Sequence, residues 1–334
     1  MRTLAAKVAP QRSTQYSALA SALAGPELRL SPIAPAITAL RSTRLAGQPY
    51  LLVDLEGALT EAQESALWQM GATSEFFWYH ESIGDQSGPF LEPLTPRGAP
   101  LLRAELVEAR RYKGKTNELF AQVLINVTRW AHPGPPACLL DPLMGGGTFV
   151  FIALQLGLNA LGIEQQRTAV ESTDTFLSGF LKEERIRTRR ETERLTNGRR
   201  TFYTLSPRGV EPPLRAVLVH GETAEAPRLL AHLPRALRPD LVVADLPYGI
   251  QHPAQLQSML ATALPAWHAV ALEGAVLGLA WDATRIPRAT FIEWVEEGGL
   301  WQAEQGGAWE ELAHAVDRVI KRRDVLVARR CGEA

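Results

Sequence analysis

The sequence predicts an α/β fold: a doubly wound, mainly parallel sheet of seven strands, preceded by a small N-terminal α+β unit. Three observations predict it. Short apolar runs at residues 137–140, 160–163 and 240–244 each end in an acid, namely Asp141, Glu164 and Asp245. Near-continuous apolar runs of this length read as strands buried on both faces of a parallel sheet. Between them lie segments with helical apolar spacing, and Gly145, Gly146 and Gly147 sit directly after the first run. Strands alternating with helices, with a glycine turn after the first strand, are the pattern of a doubly wound sheet.

Each element follows from local signals. Residues 1–40 read as an arm, with scattered Pro and Ala, Arg2, Lys7 and Arg12, and no acid before Glu27. Residues 49–54 read as a strand, and 60–70 as a helix with Thr60 at its N-cap. The aromatic run at 74–80 reads as another strand, and 84–100 as a Gly/Pro-rich linker. The expected organisation is therefore an arm at 1–40, an accessory α+β unit at 41–100, and the doubly wound domain at 101–334. In that domain a helix is expected at 119–130, with Thr116 or Asn117 as N-cap. Another is expected at 149–156, stopped by Gly157. Residues 216–219 and 274–281 supply the third and fifth strands. Residues 300–303 and 324–328 supply a final antiparallel pair.

Composition bounds the function. A hydrophobic content of 46% is ample for a buried core, and a net charge of −1 argues against blanket affinity for nucleic acid. Charge is clustered locally, however. Lys182, Arg185, Arg187, Arg189, Arg190, Arg194, Arg199 and Arg200 form one group, interleaved with Glu183, Glu184, Glu191 and Glu193. Residues 194–200 read as loop-like, which would let Arg199 and Arg200 reach phosphates. Arg110, Arg111, Lys113 and Lys115 form a second group, and a third lies between Arg318 and Arg330. The two cysteines, Cys138 and Cys331, and the seven histidines show no metal-ligand spacing, so no metal is expected. No apolar run approaches the ~20 residues of a membrane helix, and a cytoplasmic enzyme is expected.

Two motifs carry the chemistry. The first is Asp141-Pro-Leu-Met-Gly-Gly-Gly-Thr148. It fails the dinucleotide pattern G-x-G-x-x-G, because Val150 takes the last place, and it lacks the lysine of a P-loop. It fits D-P-x-x-G-x-G-T. A glycine loop at a helix N-terminus offers free N–H groups and a positive dipole end to an anion. Glu164 follows about 20 residues later, where an acid holds a ribose hydroxyl pair. The second motif is Asp245-Leu-Pro-Tyr248. An exocyclic base amine is a poor nucleophile, because its lone pair is delocalised into the ring. A carboxylate and a backbone carbonyl accepting its two N–H bonds orient the lone pair and offset charge developing on nitrogen. An aromatic ring stacks on a base taken out of its helix.

The first motif resembles motif I of class I S-adenosyl-L-methionine methyltransferases. The second resembles the (Asp/Asn)-Pro-Pro-(Tyr/Phe) signature of amino-methyltransferases, with Leu246 where that family has Pro. The segment at 110–118 is similar to one just before motif I in the tRNA guanosine-N2 methyltransferase family and its bacterial relatives, where it closes over the methionine end of the cofactor. The resemblance spans roughly residues 103–330. It implies a Rossmann-like class I methyltransferase fold, S-adenosyl-L-methionine as cofactor, and methyl transfer to an exocyclic base amine, in structured RNA by preference. DNA adenine-N6 or cytosine-N4 methylation, and a non-catalytic cofactor- or RNA-binding protein, are the alternatives. The implied cofactor-binding set is Thr116, Asn117, Asp141, Pro142, Gly145, Gly147, Thr148, Glu164, Glu222 and Asp245. The implied catalytic set is Asp245, Pro247 and Tyr248. Lys113, Arg199, Arg200 and His252 are the expected nucleic-acid contacts. The unit at 41–100 is too short to match the RNA-binding THUMP domain of the related tRNA enzymes.

Overall fold

The structure is a computed structural model that describes residues 2–10, 18–95, 100–248, 253–316 and 321–332. The chain divides into two compact units, Met1–Ala99 with Gln305–Arg323 and Pro100–Glu304 with Asp324–Ala334.

The first unit begins with β1 (Arg2–Val8), α1 (Leu19–Leu30), β2 (Ile37–Leu45), β3 (Gln48–Leu55), α2 (Glu61–Leu67), β4 (Thr73–Ile83) and β5 (Gln86–Pro93). The strands form an antiparallel sheet in the order β2-β3-β1-β4-β5. The first residues are therefore the central strand of a sheet and not an arm. Leu4, Ala5 and Ala6 are completely buried. A central strand covered on both faces lacks the apolar/polar alternation that marks a half-buried strand. Its charges lie at the ends, where Lys7 donates to Glu75 at 2.9 Å and Arg2 sits 4.6 Å over the Trp78 ring. The expected linker also contains structure, because β5 pairs along β4 and Gly84 turns between them. Thr60 caps α2 through a reciprocal bond with Gln63. The buried carboxylate of Glu27 accepts the N–H groups of Gly71 and Ala72, both at 2.8 Å, tying α1 to the turn before β4.

The second unit holds α3 (Glu105–Glu108), α4 (Glu118–Ala131), β6 (Cys138–Asp141), α5 (Thr148–Gln155), β7 (Asn159–Glu164), α6 (Arg167–Glu183), β8 (Arg187–Leu195), β9 (Gly198–Ser206) and β10 (Leu214–His220). It continues with α7 (Ala226–Leu229), β11 (Leu241–Asp245), α8 (Pro253–Val270), β12 (Val276–Asp282), α9 (Arg288–Glu296) and β13 (Trp301–Ala303). Strand β14 (His314–Ala315) belongs to the segment assigned to the first unit, and β15 (Arg322–Arg330) begins there and continues in the second. The sheet order is β13-β15-β12-β11-β6-β7-β10-β9-β8, with β14 paired to the first residues of β15. Strands β6, β7, β10, β11 and β12 are mutually parallel, and β13 runs antiparallel to β15. This is an α/β fold with a doubly wound, mainly parallel sheet of Rossmann-like type, carrying an added hairpin. Among the described residues, no helix is long and apolar enough to cross a membrane.

That hairpin carries the part of the first basic cluster from Arg187 to Arg200, while Lys182 lies in α6 and Arg185 just after it. Strand β8 carries its charges along an exposed sheet edge, and Thr196 and Asn197 form a two-residue turn with Asn197 at φ 58°. Arg190 grips Asp174 of α6 bidentately at 3.0 and 2.6 Å, and the Tyr203 hydroxyl donates to the same carboxylate at 2.5 Å. Burial opposes the Asp174 charge, but Arg190 and Tyr203 outweigh it and hold that carboxyl below its ordinary range.

The order of the parallel strands reverses direction between β6 and β11. Chains leaving these two neighbours turn to opposite sides, which opens a crevice at the carboxyl end of the sheet. Asp141, Glu164 and Asp245 are the last residues of their strands on this edge, and Glu222 follows the end of β10 by two residues.

Candidate active site

Pro142 breaks β6 just beyond its last residue, Asp141. The Asp141 side chain is buried and accepts the Leu143 N–H at 3.1 Å. Burial, reinforced by the charges of Glu164 and Asp245, pushes its carboxyl well above the usual range. The chain then turns through Gly145 at φ 51° and Gly147 at φ 89°, both in the left-handed region that a Cβ disfavours. Gly147 is the N-cap of α5. The loop is fastened from the next strand, since the two oxygens of Glu164 accept the N–H of Gly145 at 2.9 Å and of Gln166 at 2.7 Å.

A strap at residues 110–116 lies on this loop. The Tyr112 ring rests so close to Gly146 that an added Cβ would meet ring atoms at 2.2–2.6 Å, and its hydroxyl bonds the Thr148 hydroxyl at 2.7 Å. Burial pushes the Tyr112 phenol up. Arg110 anchors the strap. Its buried guanidinium donates to the Ser172 carbonyl at 3.1 Å and the Thr173 hydroxyl at 2.9 Å, and faces the Phe176 and Tyr112 rings at 5.1 and 5.4 Å. Lys115 donates to the carbonyls of Val107 at 2.7 Å and Arg110 at 2.9 Å, and pairs with Glu118. Arg110 and Lys115 thus fold the strap itself, whereas Lys113 is exposed. Sequence reasoning missed Tyr112 and Arg110 as site residues. Their types were visible in the basic segment, but only the register of the strap against Gly146 and Thr173 singles them out.

Beside Glu164 lies a cleft of about 170 Å³ lined by Pro142, Leu143, Ile163, Glu164, Gln165, Glu222, Thr223 and Met259. Its walls are apolar and its rim carries two acids. With the Gln165 amide nitrogen turned toward Glu222, it donates to both carboxylate oxygens at 3.1 and 3.3 Å.

Asp245 ends β11 on the other side of the crevice. The Thr116 hydroxyl donates to Asp245 Oδ2 at 2.8 Å, and the Tyr248 hydroxyl donates to Oδ1. Leu246 is buried and its N–H donates to the Ala280 carbonyl at 2.9 Å, so its side chain belongs to the core. Pro247 is exposed. Asn117 caps α4, accepting the Phe120 N–H at 3.1 Å. A second, narrower cleft runs past Pro247 and Tyr248 to Trp281, Asp282 and Arg285.

The loop expected at 194–200 is instead a tight hairpin. Arg199 and Arg200 lie in β9, not in a loop. Arg200 is buried, donates to the Ala231 carbonyl at 2.8 Å and pairs with Glu193 at 2.9 Å. Arg199 sits opposite His220 of β10 and 3.8 Å from Glu171. The antiparallel hairpin buries one of two consecutive arginines and leaves its neighbour on the other face. His252 lies outside the described residues.

Neither family models nor curated proteins match this chain. Solved structures do. TrmN from Thermus thermophilus is 12% identical with a TM-score of 0.48, over 99% of this chain and 100% of that one. The T. thermophilus rRNA methyltransferase RsmC, in complex with AdoMet and guanosine, is 14% identical with a TM-score of 0.39, over 98% of this chain and 64% of that one. The N-methyltransferase NodS from Bradyrhizobium japonicum is 10% identical with a TM-score of 0.39, over 64% of this chain and 94% of that one.

Proposed function

We propose that this protein is an S-adenosyl-L-methionine-dependent methyltransferase acting on an exocyclic amine of a nucleobase in RNA, of the guanosine-N2 type. The observation that carries this reading is the meeting of a glycine loop, an apolar cleft rimmed by Glu164 and Glu222, and Asp245 at one crevice. The residues fit the cofactor. Apart from Gly145 itself and its chain neighbours, no atom of the described residues stands within 4 Å of where a Gly145 Cβ would be, so the loop backbone is open to close approach there. Leu143, Ile163 and Met259 give the cleft the apolar walls a purine needs, while Glu164 and Glu222 offer acceptors for a ribose and an adenine amine. When bound, the cofactor supplies a methyl group on an electron-poor sulfonium.

The chain's own residues do the rest. Asp245 accepts an N–H of the target amine, aligning its lone pair and offsetting the charge that develops on nitrogen. Both Asp245 oxygens accept hydroxyls, from Thr116 and Tyr248. Tyr248 is the partner that must let go, since its ring is the group that stacks on the incoming base. The exposed Pro247 brings a rigid backbone carbonyl to the same edge.

The test is incubation with radiolabelled S-adenosyl-L-methionine and separate tRNA, rRNA and DNA pools, followed by nucleoside mass spectrometry. N2-methylguanosine in RNA is expected. Asp245→Ala should keep cofactor affinity and lose turnover by about 10²-fold or more. Label in DNA would move the reading to base methylation of DNA. Cofactor binding with no labelled pool would favour a non-catalytic binding protein, and a folded protein that does not bind the cofactor would end the proposal.

A further inference from the structure

We infer that Thr116 is a positioning residue for the methyl-accepting site, acting through Asp245 and not through the cofactor, an inference that rests on the catalytic reading of Asp245 above. By sequence Thr116 belongs with the cofactor-binding residues. Its hydroxyl goes elsewhere, to Asp245 Oδ2 at 2.8 Å across 129 residues of chain.

The geometry makes that bond an orienting one. Asp245 stands at the end of a strand, where its side chain can turn about two bonds. Thr116 approaches it from a segment that has little freedom. One residue on, Asn117 is fixed as the N-cap of α4. One residue back, the Lys115 ammonium is held by two carbonyls and Glu118. Threonine is branched at Cβ, so its hydroxyl direction is set by the backbone that carries it. The bond therefore pins one carboxylate oxygen from a rigid anchor and leaves Oδ1, now bonded to Tyr248, as the oxygen exchanged for the substrate amine. Tyr248 cannot do this orienting, because it is also the ring that must move to stack.

The same strap reaches the glycine loop through Tyr112, which touches Gly146 and Thr148. Residues 112 and 116 thus bear on the cofactor loop and on the acceptor carboxylate from one short, cation-braced segment. This accounts for two of the four cations of the segment, while Arg111 and Lys113 are exposed. Arg110 and Lys115 are spent on holding it in shape.

The experiment compares wild type, Thr116→Val and Thr116→Ser, each also in an Asp245→Ala background. Cofactor affinity is measured by calorimetry and single-turnover methyl transfer on the RNA pool that wild type labels. Thr116→Val keeps the shape and removes the hydroxyl. It should lower the single-turnover rate about tenfold or more, the scale of a lost hydrogen bond to a charged group. Cofactor affinity should stay within about twofold. Thr116→Ser restores the hydroxyl and should recover most of the rate. In the Asp245→Ala background Thr116→Val should do nothing further, because its only route of action is gone. Thr116→Val at the wild-type rate, a loss of cofactor affinity matching the loss of rate, or an equal penalty without Asp245 would each overturn the assignment. A wild type that binds no cofactor marks a different failure, that of the methyltransferase reading itself.

Discussion

Gly146→Ala tests the contact that most tightly constrains the glycine loop. A Cβ built at Gly146 falls 2.2, 2.3 and 2.6 Å from three atoms of the Tyr112 ring. Carbon atoms rest at about 3.5–4.0 Å, so the ring must retreat by more than roughly 1 Å. It is not free to do so. Its hydroxyl is bonded to Thr148 at 2.7 Å, and the Arg110 guanidinium faces it at 5.4 Å while bound to Ser172 and Thr173. Overpacking of this kind costs about 1–3 kcal/mol, and losing the hydroxyl bond adds about 1 kcal/mol. For a unit of this size, each kcal/mol lowers Tm by roughly 2–4 °C. The expected fall is therefore about 4–16 °C, read by scanning calorimetry. The decisive comparison is a double-mutant cycle with Tyr112→Ala. The clashing atoms all belong to the outer ring, so Gly146→Ala should cost at least about 1 kcal/mol less in the Tyr112→Ala background. Equal cost in both backgrounds would refute the ring-on-glycine contact. Cofactor affinity on the same four proteins then shows whether the strap matters to binding as well as to folding.

Other outcomes follow from buried charge. The Asp141 carboxyl is raised above its unfolded value near 3.8, so its share of stability is complete below that pH and is lost as pH rises through the raised folded value. Asp141→Asn should therefore raise Tm more at pH 8 than at pH 5, and an equal gain at both would contradict it. His314 is the opposite case, since burial pushes its imidazole down to about 4. Its contribution is present above pH ~6.5 and is lost between there and pH ~4, by at most about 3 kcal/mol. His314→Asn should flatten that part of the stability profile in urea titrations, and an unchanged slope would count against the burial argument. Arg200→Ala should destabilise by about 1–3 kcal/mol, because it removes a buried side chain and strands the Ala231 carbonyl, whereas Arg199→Ala should stay within about 0.5 kcal/mol. Arg200→Ala should also leave the log–log salt slope of nucleic-acid binding unchanged. A drop of one unit would make Arg200 a phosphate contact after all.

The parallel sheet and its glycine loop were legible in the sequence because their physics is local. Buried strands need unbroken apolar runs, as at Leu241–Asp245, and a loop with left-handed residues needs glycine, as at Gly145 and Gly147. Thr60, and Asn117 as one of two candidates beside Thr116, were readable as helix caps for the same reason, since each accepts an N–H three residues on. What the tertiary structure decided depends on distant partners. Strand β1 looked like an arm because its burial comes from β3 and β4, tens of residues away. Arg190 and Arg200 looked like a solvated or phosphate-seeking face because Asp174, Glu193 and the Ala231 carbonyl meet them only in the folded chain. Segment 305–323 joins the first unit after the chain has almost completed the second, an association that no local pattern encodes. Thr116 is the sharpest instance. Its place before a helix was readable, but the direction of one hydroxyl toward Asp245 is set by how a strap and a strand end come to lie 2.8 Å apart.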